Sequence, residues 1–265
     1  MLLAVDVGNT QTHIGVFEGD AIVYEWRSST DPARTADEHA LLIGQFLSLA
    51  GLSFETGLTG FVISSVVPRV TQELRGMSQR YFGWPAVVVE PGTRTGVAIL
   101  TDNPREVGAD RIANAAAAHD MFAGKAVVVA DFGTAITIDA VSPKGELLGC
   151  AIAPGIDIAA TALYSATAQI RRVELVAPST AIGKTTVTSV QSGLLFGTAA
   201  LVDGLVERVV KELGGDAEIV ATGGLAPIVV THSHALDRIE PMLTLRGLKL
   251  IYERNSAVTR HGDNR

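Results

Sequence analysis

Cysteine and positive charge are both scarce in this chain of 265 residues. Cys150 is the only cysteine, which excludes an internal disulfide framework and a zinc site built from several cysteines of one chain. Lys and Arg total 21 against 28 Asp and Glu, so the formal net charge is −7. That balance provides no basic surface for duplex nucleic acid or for an anionic membrane. We therefore expect neither partner, and we expect a reducing compartment.

A long apolar run is also missing at the N-terminus. Asp6 interrupts the first apolar stretch well before the roughly 18 residues that a membrane span requires. No basic segment of the kind that opens a signal peptide precedes it. Apolar residues make up 47% of the chain, which is enough for one large core or two of ordinary size. We expect a soluble, globular, cytoplasmic protein.

Two stretches share one design, in which a buried strand ends near an aspartate, a glycine turn follows, and a second strand begins. The first is LLAVDVGNTQTHIGVF at 2–17 and the second is AVVVADFGTAITIDAV at 126–141. Asp131 follows Asp6 by 131 − 6 = 125 positions. One copy alone is equally well an ordinary β-hairpin. Two matching copies predict related halves whose turns bind a phosphate chain and a metal ion.

Apolar spacing predicts alternating strands and helices. Thr35 and Glu38 form a capping box that predicts a helix at 36–50. The other predicted elements are, in chain order, a strand at 59–65, a helix at about 68–81, a strand at 86–89, a helix from Asp110, three strands from 126 to about 152, a helix at about 156–169, a long helical zone ending at Gly214, a strand at about 217–224 and a helix or strand at 241–253. The polar tail from Asn255 is expected to fray. We place the domain division at 1–118 and 119–265.

The segment GADR, at 108–111, carries a second candidate site. Asp110 and Arg111 lie near a predicted helix start and point in different directions because they are adjacent. Arg111 could bind a carboxylate or phosphate, and Asp110 could accept the proton of an attacking hydroxyl. An equally plain interpretation is an aspartate favoured by the helix dipole beside a solvated arginine.

The segment IGKTT at 182–186 invites a P-loop interpretation, but that pattern requires glycine where Pro178 stands. We reject it and consider a substrate-facing helix start or simple N-capping instead. The TGG turn at 222–224 suits close approach to a nucleotide, although glycine after a strand is common. His232 and His234 lie two positions apart without a third ligand nearby, which disfavours a metal pair.

Six ordered motifs resemble those of type III pantothenate kinases, over roughly residues 2–254. They are DVGNT at 6–10, GADR at 108–111, DFGTA at 131–135, AIAPG at 151–155, GKTT at 183–186 and TGG at 222–224. The resemblance implies the α/β fold of the actin, sugar kinase and Hsp70-like superfamily. That fold has two duplicated RNase H-like domains, each a mixed sheet flanked by helices, with an ATP cleft between them. It would also explain the duplication.

The resemblance implies ATP-dependent phosphorylation of the primary hydroxyl of pantothenate, the first step of coenzyme A biosynthesis, in a homodimer. Asp110 would be the catalytic base. Asp6 would hold magnesium, and Asp131 a monovalent cation, K⁺ or NH₄⁺. Further implied ATP contacts are Asp6, Val7, Gly8, Asn9, Thr10, Gln11, Thr12, His13, Thr134 and Gly223. Implied pantothenate contacts are Gly108, Ala109, Asp110, Arg111 and Thr186.

The chain departs from the family pattern at Ile136, Cys150 and Thr185, none of which removes a chemical group assigned above. Cys150 is expected to tighten a glycine turn near Pro154. Thr185 is expected to alter a hydrogen bond to substrate. Two other functions stay open, namely a kinase for another small hydroxylated metabolite and a nucleotide-binding protein of this fold without catalysis.

Overall fold

The chain forms two compact units in the computed structural model, which describes residues 1–167 and 170–262. The first unit comprises Met1–Ala98, Asp102–Ala117 and the C-terminal segment from Leu243, and the second comprises Ile99–Thr101 and Ala118–Met242. The expected division at 1–118 and 119–265 differs at the C-terminus. The last helix belongs to the first unit because its apolar residues are buried there, against a sheet far away in sequence.

The described residues include ten strands and seven α-helices. In chain order they are β1 Leu2–Val7, β2 Gln11–Glu18, β3 Ala21–Ser29, α1 Ala36–Leu49, β4 Gly60–Ser65, α2 Pro68–Met77, β5 Val87–Val88, β6 Ala98–Ile99, α3 Ala109–Met121, β7 Val127–Phe132, β8 Ala135–Val141, β9 Glu146–Pro154, α4 Ile156–Ala166, α5 Thr186–Glu212, β10 Glu218–Thr222, α6 Ala226–Val230 and α7 Leu243–Gly262. No helix among these residues combines the length and the apolar character that crossing a membrane requires.

Four strands of each sheet repeat one topology, and the fifth strand, β5 or β6, is placed differently in the two sheets. The first has the strand order β3-β2-β1-β4-β5 and the second β10-β7-β8-β9-β6. In each, three consecutive strands pair antiparallel and a later strand, β4 or β10, joins parallel to the first of them. Both bounds of β7 follow those of β1 by 125 positions, since 127 − 2 and 132 − 7 are both 125. The predicted duplication of α/β domains is confirmed.

The central strands of the first sheet are covered on both faces. Leu3, Val5 and Val7 of β1 share a core with residues of α1 and α2. Alternation along the strand therefore turns Asp6 toward the opposite face. Gly15 of β2 identifies what covers that face, because a Cβ there would lie 2.8 Å from Leu245 of α7. Asp6 thus lies on the side of the sheet where α7 packs.

The second sheet is arranged in the same way within its own unit, with apolar side chains of its first strand packed against helices. The side chains of Val128, Ala130 and Phe132 on β7 share a core with residues of α4, α5 and α6. Alternation turns Asp131 toward the other face. In both units, therefore, the aspartate of the motif lies on one face of the sheet and helices pack against the other face. These helices are α1 and α2 in the first unit and α4, α5 and α6 in the second.

Most predicted elements are confirmed, with differences near their ends. The capping box predicted at Thr35 and Glu38 is formed, and α1 begins directly after it. The helix expected at about 68–81 is α2 followed by a π-helical turn at Ser78–Phe82. The helix expected at about 156–169 is α4, and residues 168 and 169 lie outside the described part of the chain. Where a frayed tail was expected from Asn255, α7 continues to Gly262, and residues 263–265 lie outside the described part of the chain.

Candidate active site

The first turn joins β1 to β2 and contains the residues expected to contact ATP phosphates. The backbone N–H of Gly8 donates to the carbonyl of Gln11 at 2.9 Å, which closes the turn. Asp6 is paired with His13 across the hairpin. Val7 is buried, and so are Thr12 and His13, whereas the tip projects into solvent through Asn9, Thr10 and Gln11. The exposed tip and closed base suit the binding of a ligand by backbone N–H groups.

His13 is held neutral at the base of this turn. Burial, together with the positive charge of Arg27, lowers the pKa of His13 to about 4 against the opposing influence of Glu25. The Nε2 atom of His13 lies 3.7 Å from the Glu25 carboxylate. At neutral pH the imidazole therefore carries no charge.

The second candidate segment starts α3, also in the first unit. The Oδ1 atom of Asp110 accepts a hydrogen bond from the Arg111 backbone N–H at 2.8 Å. A Cβ at Gly108 would overlap that carboxylate, so the glycine makes room for it. Burial raises the pKa of Asp110, although the Arg111 backbone hydrogen bond and charge oppose the shift. The Asp110 carboxylate therefore accepts a hydrogen bond in the first turn of α3 and also has a raised pKa.

Both segments lie at the same edge of the first sheet. β4 runs parallel to β1, and the backbone N–H of Val66, directly after β4, donates to the Val7 carbonyl at 3.0 Å. Val66 also lies beside Gly108, whose Cβ would sit 3.4 Å from its Cγ1 atom. Val66 therefore bridges the aspartate turn and the start of α3. The DVGNT and GADR motifs start 108 − 6 = 102 positions apart in the sequence, yet both adjoin Val66 in this unit.

The second turn joins β7 to β8; Gly133 and Thr134 at its tip are exposed, and backbone from other segments packs against its base. The Gly133 N–H donates to the Ala135 carbonyl at 3.1 Å, and the Gly155 N–H donates to the Thr134 carbonyl at 3.1 Å. A Cβ at Gly155 would overlap the Thr134 carbonyl and lie 2.6 Å from the Gly133 carbonyl oxygen. The AIAPG motif therefore ends in a glycine because α4 begins against this turn.

The TGG turn completes this arrangement in the second unit. Gly223 has a φ of +92° and follows β10, which pairs with β7 so that Thr222 lies beside Asp131. A Cβ at Gly223 would lie 2.6 Å from the Asp131 Oδ1 atom and 2.6 Å from the Phe132 backbone. Only glycine allows this backbone to approach the Asp131 carboxylate so closely.

Thr186 lies elsewhere in the second unit, at the start of α5. Thr185 caps that helix, because its hydroxyl accepts from the Thr188 backbone N–H at 3.2 Å. N-capping, one of the two interpretations of IGKTT, is confirmed. A cavity of about 680 Å³ adjoins the helix start, and its lining includes Ala159, Leu163, Lys184, Thr185 and Thr186. Thr186 therefore faces a concave surface along α4.

The departures from the family pattern have plain structural settings. Ile136 is buried in the core of the second unit and packs with the helices, so it does not alter the aspartate face. The expectation that Cys150 tightens a glycine turn is wrong, because Cys150 lies inside β9, paired with Asp139. The three strands predicted from 126 to about 152 already included this position, so the strand prediction is confirmed and the turn expectation is not.

The two histidines of the later loop have separate neighbours. The ring of His232 packs edge-on against Phe196 with centroids 5.1 Å apart. The His234 backbone N–H donates to the Asp203 carboxylate at 3.0 Å. Among the side chains of residues 1–167 and 170–256, no cluster of three or more His, Cys, Asp or Glu is arranged to hold a metal.

Sequence reasoning missed residues that position the motifs rather than form them. Val66 carries no sequence signal, because its role depends on strand pairing. Gly155 stood within a recognised motif, yet its contact with the second turn depends on tertiary packing. Thr30, which contacts the first turn, also escaped notice because its partners lie 18 to 22 residues away.

Solved structures of other proteins share this fold. MreB 5 of Spiroplasma citri aligns with a TM-score of 0.57 at 10% identity, over 98% of both chains. Component A of the (R)-2-hydroxyglutaryl-CoA dehydratase of Acidaminococcus fermentans aligns at 0.56 and 15% identity, over 97% of this chain and 98% of the other. With its repeated sheets and aspartate turns, the chain has the duplicated fold of the actin-like ATPase class.

Sequence comparison narrows this class. The family model described as type III pantothenate kinase matches residues 2–208. Proteins of that name are 53% identical in Streptomyces griseus, over 96% of this chain and 98% of theirs, and 48% identical in Moorella thermoacetica, over 97% and 100%. The chain belongs to the type III pantothenate kinase family. The resemblance found from six motifs is confirmed.

Proposed function

We propose that this protein transfers the γ-phosphoryl group of ATP to the primary hydroxyl of pantothenate, the first step of coenzyme A biosynthesis. Family membership supports the substrate and the reaction. The observation that carries the proposal is the convergence of the Asp6 turn and the Asp110 carboxylate at one edge of the first sheet. Phosphoryl transfer mainly requires such positioning and charge stabilisation.

The first turn binds the phosphates of ATP through residues 6–13. Its exposed tip offers backbone N–H groups, and His13 at its base is uncharged at neutral pH. Asp6 holds Mg²⁺, since this ion is usually bound by one or two carboxylates together with phosphate oxygens and water. The bound ion would neutralise charge that develops on the phosphates.

Asp110 acts as the general base. The pantothenate hydroxyl oxygen attacks the γ-phosphorus, the bond from that phosphorus to the bridging oxygen breaks to release ADP, and the hydroxyl proton passes to Asp110. The raised pKa of Asp110 increases its affinity for that proton. Arg111 and the backbone of Gly108 and Ala109 orient the substrate, and Thr186 contributes a further contact.

In the second unit, Thr134 and Gly223 contact ATP, and Asp131 binds a monovalent cation, K⁺ or NH₄⁺. The close approach of Gly223 to the Asp131 carboxylate supports a shared role for these residues. The cation would compensate the negative charge of this carboxylate close to the nucleotide.

We also propose a cytoplasmic homodimer. Several apolar side chains of the second unit are exposed, among them Ile182 at 80% and Ile152 at 65%. Burial of such side chains against a second copy would be favourable. Sedimentation at several concentrations tests the dimer, and a monomer throughout would refute it.

Replacement of Asp110 tests the reaction most directly. The assay follows ADP release with pantothenate, with and without K⁺ or NH₄⁺. Asp110→Asn should lower kcat by about 10² to 10⁴-fold, because an amide cannot accept the proton. Asp120 is exposed on the same helix. Asp120→Asn is therefore the matched control, and its kcat should stay near that of wild type.

The possible outcomes separate the alternatives. Near-normal turnover by Asp110→Asn would show that Asp110 is not the base. Faster turnover of another hydroxylated metabolite than of pantothenate would identify a different kinase. ATP binding without any phosphorylated product would identify a binding protein of this fold.

A further inference from the structure

We propose that Thr30 is a positioning residue for the first turn and thereby sets the affinity for the phosphates of ATP, an inference that rests on the proposed function of residues 6–13. Thr30 lies directly after β3 and contacts three alternate residues of the turn. Its hydroxyl donates to the Gly8 carbonyl at 2.8 Å and pairs with the Thr12 hydroxyl at 3.0 Å. Its backbone N–H donates to the Thr10 carbonyl at 3.0 Å.

The hydroxyl bonds have a defined direction. A threonine hydroxyl has a single hydrogen and two acceptor lone pairs. Since the Thr30 hydrogen is directed to the Gly8 carbonyl, the Thr12 hydroxyl must donate to Thr30. The result is a relay from Thr12 through Thr30 to Gly8, and the Thr12 end is only 7% exposed. Partial burial protects these bonds from competition with water.

This relay sets the orientation of one peptide group at the tip. The described chain has no cis peptide bond, so the N–H of Asn9 points opposite to the carbonyl of Gly8 in their shared peptide plane. Because Thr30 holds that carbonyl, the Asn9 N–H is directed away from Thr30. Asn9 is exposed, so its N–H is presented outward as a donor for a phosphate oxygen.

Thr30 is placed to act on this turn rather than on the sheet as a whole. The last residue pair of the β2-β3 ladder joins Gln11 to Ser29, so Thr30 lies one residue beyond it. Removing its hydroxyl leaves every β2-β3 backbone bond in place. The hydroxyl therefore affects the geometry of the turn with little effect on the strands.

Two substitutions at Thr30 test the proposal. Thr30→Val keeps the side-chain shape and removes the hydroxyl, and it should raise KM for ATP about tenfold, since two hydrogen bonds are lost. KM for pantothenate and kcat should change less than about twofold. Thr30→Ser retains the hydroxyl and should restore KM for ATP to within about twofold of wild type.

Thr71→Val is the matched control. Thr71 is also partly buried in the first unit, and its hydroxyl donates to the Val67 carbonyl at 3.1 Å, at the start of α2. Thr71→Val should leave KM for ATP unchanged, because this hydroxyl bonds to no residue of the first turn. Calorimetric titration of ATP into each variant provides an affinity that does not depend on phosphorylation.

An unchanged KM and Kd for ATP in Thr30→Val would overturn the inference. Equal increases in KM for both substrates, or failure of Thr30→Ser to recover, would also overturn it, because either result indicates a general structural role. If the wild-type protein binds ATP but phosphorylates no pantothenate, the proposed function fails, and the calorimetric comparison still decides the role of Thr30.

Discussion

The two aspartate turns share a topology but are held in place by different chemistry. The first is exposed at its tip and is tied from one side by the hydroxyl and N–H of Thr30. The second is also exposed at its tip, at Gly133 and Thr134, but it is supported by backbone, with Gly155 and Gly223 packed where any Cβ would overlap it. A duplicated hairpin can therefore keep its strands and its aspartate while the support around the turn changes. Support by side chains can be tuned, whereas support by close-packed backbone tolerates only glycine.

The residues opposite the two aspartates also differ. Asp6 is paired with His13, and Asp131 is paired with Thr137. The first hairpin thus contains a buried group that titrates, and the second has a hydroxyl in its place. The second loop is one residue shorter, because Val7 pairs with Thr12 but Phe132 pairs with Ile136. We therefore expect the stability of the first hairpin to depend on pH. The stability of the second should depend on the size of the residues packed against its turn.

The largest effect should follow substitution at Gly223. Gly223→Ala adds a Cβ against the Asp131 carboxylate and the Phe132 backbone, at a φ of +92° that disfavours any side chain. We expect the free energy of unfolding to fall by about 3 kcal/mol, from backbone strain and overpacking together.

The next residue provides a matched control. A Cβ at Gly224 would have no atom within 4 Å. Urea denaturation should therefore show Gly224→Ala close to wild type. Equal stability of the two variants would mean that the close packing of Gly223 does not support the second turn.

A smaller effect is expected at Gly155. Its φ of −63° suits alanine, so Gly155→Ala acts through overlap with the Gly133 and Thr134 carbonyls alone. We expect a loss of about 2 kcal/mol in the free energy of unfolding. Gly133→Ala is the comparison, because the nearest atom to its Cβ would be 3.6 Å away. If Gly133→Ala proved the more destabilising, the assigned contact would be wrong.

The smallest effect concerns pH and the first hairpin. The pKa of His13 is about 4 in the folded protein, below its ordinary 6.5. The unfolded chain therefore takes up the proton first as the pH falls, and stability that is present above pH 6.5 is lost between 6.5 and about 4. His13→Gln should reduce that loss by on the order of 1 kcal/mol after allowance for solvent screening.

Thermal unfolding measured across this pH range checks the difference. Burial also lowers the pKa of His39 in the same unit, so part of the pH dependence should persist in His13→Gln. His232→Gln, in the second unit, controls for the loss of an imidazole. If stability depended on pH in His13→Gln just as it does in wild type, the contribution of His13 would be refuted.

Local patterns were sufficient for much of the fold. The capping box at Thr35 predicted the start of α1, and apolar runs predicted most strands, because both depend on neighbours within a few residues. The 125-residue offset predicted the duplicated hairpins. The path of α7 was not predictable in this way, since its return to the first sheet depends on packing at Gly15 and elsewhere.

Strand periodicity and motif residues are local properties, so they were enough to predict the repeated α/β units, the family and the identities of the candidate aspartates. How those residues are supported depends on tertiary packing. Val66 joins two motifs through strand pairing, Thr30 ties a turn from 18 to 22 residues away, and Gly155 and Gly223 pack against another. Such contacts join residues distant along the chain, and their geometry exists only after the sheets and helices have packed.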